Sequence, residues 1–130
     1  MEYQSCNYCI TLMNYRIEKN LIIMTVQGNT PVPKIIATFE AALADPAANL
    51  PALILVDASL STAVRSTAEV ETFSRALSGW KDKIARIAIY VTSELHYGTM
   101  RMGTAYSTLS SFDVSPFRTY EEALAFLEKP

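Results

Sequence analysis

The chain has 130 residues, half of them apolar and 18% charged, with a formal net charge of −2. That length suits one domain able to bury roughly two thirds of its unfolded surface, and the composition is that of a globular chain, not a disordered one. The slight acidic excess argues against general nucleic-acid binding, and no run approaches the ~18 consecutive apolar residues of a membrane span.

The opening MEYQSCNYCITLMNYRIEKN lacks both the basic start and the unbroken apolar stretch of a secretory signal, so the expectation is a cytoplasmic protein. Residues 1–13 read as a flexible extension ahead of a single domain over 14–130. Cys6 and Cys9 stand in C-x-x-C spacing. Redox pairs of that spacing open a helix just after a strand, and a zinc site needs four ligands. Here the pair precedes any strand–helix unit, and His96 is the one histidine of the chain. The two cysteines are therefore read as reduced thiols, with no metal and no cofactor.

Two strand-like runs, Tyr15 to Glu18 and Leu21 to Val26, flank Lys19-Asn20, the spacing of a tight hairpin in which asparagine tolerates φ > 0. Gly28 and NTPVP then stop the second run. In VPKIIATFEAALADP, Val32, Ile35, Ile36, Phe39 and Leu43 recur every three or four residues, which predicts an amphipathic helix ended by Pro46. ALILVDAS is a continuous apolar run of strand length, as expected of a strand covered on both faces of a parallel sheet.

Ser66 followed three residues later by Glu69 predicts a capping box opening the next helix, with Val70, Phe73, Leu77 and either Trp80 or Ile84 as its inner stripe. RIAIYVTS reads as a further buried strand. LHYGTMRMGTAYSTLSS reads as a third helix with Leu95, Thr99, Met102, Tyr106 and Leu109 on one face. FDVSPF is a short strand whose Pro116 suits a sheet edge, and TYEEALAFLEK is a last helix with Thr119 and Glu122 in capping-box spacing. The order β-β-α-β-α-β-α-β-α predicts an α/β domain: a mixed, mostly parallel five-stranded sheet with an N-terminal antiparallel hairpin and four helices.

This arrangement resembles the STAS and SpoIIAA-like group of small α/β domains. The resemblance rests on YRIEKNLIIMTVQG as the hairpin, LILVDAS as the strand ending in aspartate, RIAIYVTSELHYGTMRM as a strand, polar turn and helix, and FDVSPFRTYEEALAFL as the closing strand and helix. It covers roughly residues 14 to 129. It implies a non-catalytic regulatory module that binds a protein partner. Among the best-known members, antagonists of anti-sigma factors, a serine in an Asp-Ser-Ser-Gly-like stretch is phosphorylated by the partner kinase. The matching stretch here is Asp57-Ala58-Ser59-Leu60, with leucine in place of the glycine.

Two readings of Asp57, Ser59, Ser61, Thr62 and Arg65 stay open at this point. In one, the 57–66 loop at the C-terminal end of a central strand cradles an anionic ligand, or a phosphoryl group on a serine, beside a helix N-terminus. In the other, the side chains satisfy their own backbone as turns. A small-ligand carrier for an anionic or lipid-like molecule is the alternative function. A hydrolase built on Ser59 or Ser61, His96 and Asp57 is a remoter one, since no G-x-S-x-G elbow is present. Tyr97, Met100 and Arg101 are candidates for a partner surface, because such residues are enriched at interfaces. A homodimer is a further possibility.

Overall fold

The structure, a computed structural model, describes residues 13–62, 65–94, 97 and 113–129. It opens with β1 (Met13–Glu18) and β2 (Leu21–Gly28). These pair antiparallel from Met13 opposite Val26 to Glu18 opposite Leu21. Lys19-Asn20 joins them as expected, but the left-handed residue of the turn is Lys19, at φ 57°, not Asn20. β1 begins two residues ahead of Tyr15, and Met13 is already part of the core.

There follow α1 (Val32–Ala44), β3 (Ala52–Ser61), α2 (Thr67–Gly79), β4 (Ile84–Tyr90), β5 (Asp113–Phe117) and α3 (Tyr120–Glu128). The strands lie in the order β1-β2-β3-β4-β5. Every pairing from β2 to β5 is parallel. This is the mixed sheet the sequence predicts, with β3 at its centre and β5, carrying Pro116, at one edge. Three helices are described. The fourth, expected over 95–111, falls outside the described residues apart from Tyr97, whose N–H donates to the Ser93 carbonyl at 2.9 Å. Cys6 and Cys9 also lie outside.

The sheet is covered on both faces, which is why β3 reads as an unbroken apolar run. Ile54, Val56 and Ala58 point into one layer with Phe39 and Leu43 of α1 and Leu77 of α2. Leu53 and Leu55 point into the other, where Ala123 and Leu127 of α3 meet Ile23 and Ala88. Phe39, 1% exposed, is the hub of the first layer. Trp80 stacks on it at 5.4 Å and 2° between planes, and Phe73 meets it edge-on at 5.4 Å. The buried stripe of α1 is Val32, Thr38, Phe39, Ala42 and Leu43, so Ile36 is left on the helix flank.

Helix starts follow the spacing of the caps. Ser66 Oγ accepts from the Glu69 N–H at 3.2 Å and Glu69 Oε1 accepts from the Ser66 N–H at 2.9 Å, closing the capping box on α2. At α3, half of the expected box forms: Thr119 Oγ1 accepts from the Glu122 N–H at 3.2 Å. α1 instead starts on Pro31 without a side-chain cap, with Pro33 in its first turn, where a missing N–H costs nothing.

Candidate functional site at the C-terminal edge of the sheet

The loop expected over 57–66 is shorter than that, because β3 runs on to Ser61. Its pairing with β4 ends at Asp57 opposite Tyr90, yet its pairing with β2 continues to Ser61 opposite Gly28. β2 supplies the reason. It extends to Gly28 and offers ladder partners to residues that would otherwise turn away, and the Thr62 N–H still donates to the Gly28 carbonyl at 2.9 Å. The polar stretch is thus a two-stranded lip beyond the end of β4.

The lip begins with a bulge. Between the pairs Thr25–Asp57 and Gln27–Leu60, β3 uses four residues where β2 uses three. Asp57 holds that extra residue: its Oδ1 accepts both the Ser59 N–H at 3.0 Å and the Ser59 hydroxyl at 2.6 Å. Both residues are half-buried. Asp57 also lies close enough to Arg16 of β1 to help raise its guanidinium pKa, after the larger effect of the Glu18 hydrogen bond and that of Tyr120. Nearby, Tyr90 meets Tyr120 edge-on at 5.8 Å.

Arg65 is turned inward. It donates to the Thr30 carbonyl, and its Nη1 lies 3.7 Å from Glu69 Oε2. Its side chain is 10% exposed, and burial lowers its pKa from the usual guanidinium value. Thr30 itself is fully buried, its hydroxyl donating to the Gln27 carbonyl at 2.7 Å. The guanidinium therefore ties the β2–α1 connection to the start of α2. Of the other candidates, Ser61 is half-buried with Oγ 3.4 Å from the Gly28 carbonyl, and Thr62 is exposed.

Sequence reading missed Leu60. It is 61% exposed, one of two large apolar side chains so placed among the described residues, and it projects from the lip between Ser59 and Ser61. Its signal was present: a lone leucine among hydroxyl residues just past the apolar part of a strand has no core face to occupy. Of the cluster Tyr97, Met100 and Arg101, Tyr97 is half-buried against the first core layer, with the Arg118 guanidinium 5.8 Å over its ring. Arg118 also pairs with Glu94. Met100, Arg101 and His96 lie outside the described residues. Among those described, no three His, Cys, Asp or Glu side chains gather to hold a metal, and no helix is long and apolar enough to cross a membrane.

Comparison with solved structures settles the architecture. An uncharacterized protein of the DUF3478 family from Shewanella loihica PV-4, described as having a SpoIIAA-like fold, superposes with a TM-score of 0.59 at 16% identity, over 89% of this chain and 92% of that one. The chain has a SpoIIAA-like fold. An anti-sigma factor antagonist from Mycobacterium paratuberculosis shares it, with a TM-score of 0.61 at 14% identity, over 91% of this chain and 94% of that one. No family model matches the chain, and no curated protein is significantly similar to it. The SpoIIAA-like fold is thus shared with these structures at only 14–16% sequence identity.

Proposed function

We propose that this SpoIIAA-like domain is a non-catalytic regulatory module that binds a protein partner through the lip of β2 and β3. The observation that carries the reading is Leu60. A leucine 61% exposed on a hydrogen-bonded strand end, in a stretch otherwise rich in polar residues, has the make-up of an interface anchor. The shared fold with an anti-sigma factor antagonist supports a partner of protein nature. An anionic small ligand is disfavoured by the engagement of Arg65 with Thr30 and Glu69.

Ser59 is the hydroxyl we assign to a phosphorylation switch. A phosphoryl group on its Oγ would remove the hydrogen bond to Asp57 and set close to two negative charges against that carboxylate. The bulge would open and Leu60 would leave its place, so the modification would act by disrupting the interface. The test uses a photo-crosslinking residue in place of Leu60 to capture the partner in the host, followed by titration of that partner with purified variants. Leu60→Lys is expected to weaken binding at least about tenfold while leaving stability within ~0.5 kcal/mol. Ser59→Asp is expected to weaken it as well, and Thr62→Ala to leave it unchanged. Full-strength binding by Leu60→Lys would overturn the reading.

A further inference from the structure

On the face of the sheet that α1 and α2 cover, the two helices leave a groove of about 470 Å³ between them, beginning at the helix starts that follow the lip. Both helices are crossovers between parallel strands, so they run side by side in the same direction. Ile36 and Ala37 form one wall, Ala68 and Thr72 the other. Three of those four are small, which is what keeps the groove open. Ile36 is half-buried, while Ala37, Ala68 and Thr72 are exposed.

The charges on its rim are of one sign. Glu69 is engaged by the capping box and by Arg65. Glu40, exposed, has no hydrogen-bond or ion-pair partner among the described residues. An apolar floor with a free carboxylate at its edge calls for an apolar segment bearing a cation.

We propose that the α1–α2 groove is a docking site for an amphipathic basic helix of a partner protein, its apolar face on Ile36, Ala37, Ala68 and Thr72 and a lysine or arginine against Glu40. Helices lie in apolar grooves by presenting residues at three- and four-residue spacing, and a groove of this volume accommodates one or two such side chains. Leu60 does not line the groove, so substitutions at Leu60 and at Glu40 test the lip and the groove apart.

Amide chemical shifts of the ¹⁵N-labelled domain report the test. The probe is a synthetic leucine–lysine amphipathic peptide of about 15 residues, long enough to form a helix on contact. The expected result is a saturable shift of the amides of residues 36, 37, 68 and 72. Glu40→Gln should weaken binding roughly two- to fivefold, the worth of an exposed ion pair, and Glu121→Gln, on α3, should not. Ala37→Trp, which fills the groove from an exposed position, should abolish binding with the spectrum otherwise dispersed; Thr72→Trp serves if that variant fails to fold. No shift at millimolar peptide, shifts elsewhere, or equal binding of a leucine–glutamate peptide would overturn the proposal. So would a concentration-dependent dimer, seen without peptide and lost in Ala37→Trp, which would assign the groove to a second copy of this chain.

Discussion

The Asp57 carboxylate accepts two hydrogen bonds from one residue, Ser59, at its backbone N–H and at its hydroxyl. A bulge leaves a residue outside the ladder, and here the aspartate takes over the pairing the ladder has lost. Asp57→Ala removes both bonds and is expected to cost about 1–3 kcal/mol. Ser59→Ala removes one and should cost about 1 kcal/mol. Urea unfolding of the two single variants and of the double variant checks this: the double should cost no more than Asp57→Ala.

Phe39→Ala should be among the most destabilising substitutions, at about 3–5 kcal/mol, because it removes a buried ring on which both Trp80 and Phe73 rest. Phe73 occupies the same stripe but is half-buried, so Phe73→Ala should cost distinctly less. Denaturant midpoints at constant m-value would show the order. Equal costs would mean that the aromatic cluster has no single hub.

Arg65→Ala should lower stability by about 1.5–3 kcal/mol, since it strips a charged donor from the carbonyl of the buried Thr30. Arg65→Lys should recover only part of that loss, because an ammonium cannot reproduce the spread of the guanidinium between Thr30 and Glu69. Glu69→Gln, which keeps a side-chain acceptor for the Ser66 N–H, should cost less than either. Thermal melts of the three variants settle the ranking.

The Tyr15 hydroxyl donates to Asp45 at 2.8 Å, and this pair gives stability a pH dependence at both ends. Asp45 titrates below its ordinary value, first because the Ala47 N–H donates to it and then because Tyr15 does. Its stabilisation is present above the unfolded pKa and is lost as pH falls through the folded one, below about pH 4. Tyr15 titrates above its ordinary value, chiefly through the same bond to Asp45. Its contribution is present below the unfolded pKa and is lost as pH rises beyond about 10. Tyr15→Phe should remove the alkaline dependence and shrink the acid one, as measured by the melting temperature across the pH range.

What could be read from the sequence was what depends on near neighbours. The α1 helix, the Ser66–Glu69 box and the apolar run of β3 are set by spacings of two to four residues, and they formed where expected, although the buried stripe of α1 takes Thr38 and Ala42 in place of Ile35 and Ile36. Asp57 to Ser61 read as a loop because DASLS is turn-forming by composition. It is strand because β2, some thirty residues earlier, has the length to pair with it, and no local pattern carries that information. Arg65 is the same case. Its sequence neighbours offer it to an anion, while the carbonyl it meets belongs to Thr30, across a helix and a strand. Leu60 could have been identified, since an apolar side chain on a stretch assigned to solvent needs an explanation.

Among the described residues, one layer of the core is covered by a single helix. Ile23, Leu55 and Ala88 are covered by Ala123 and Leu127 of α3, and α3 is in turn fastened where Arg86 of β4 donates to the carbonyls of Phe126 and Lys129. Of the described elements α3 is made last. A chain cut short before Tyr120 would therefore present Ile23, Leu55 and Ala88 to water, an apolar surface that the described domain keeps covered.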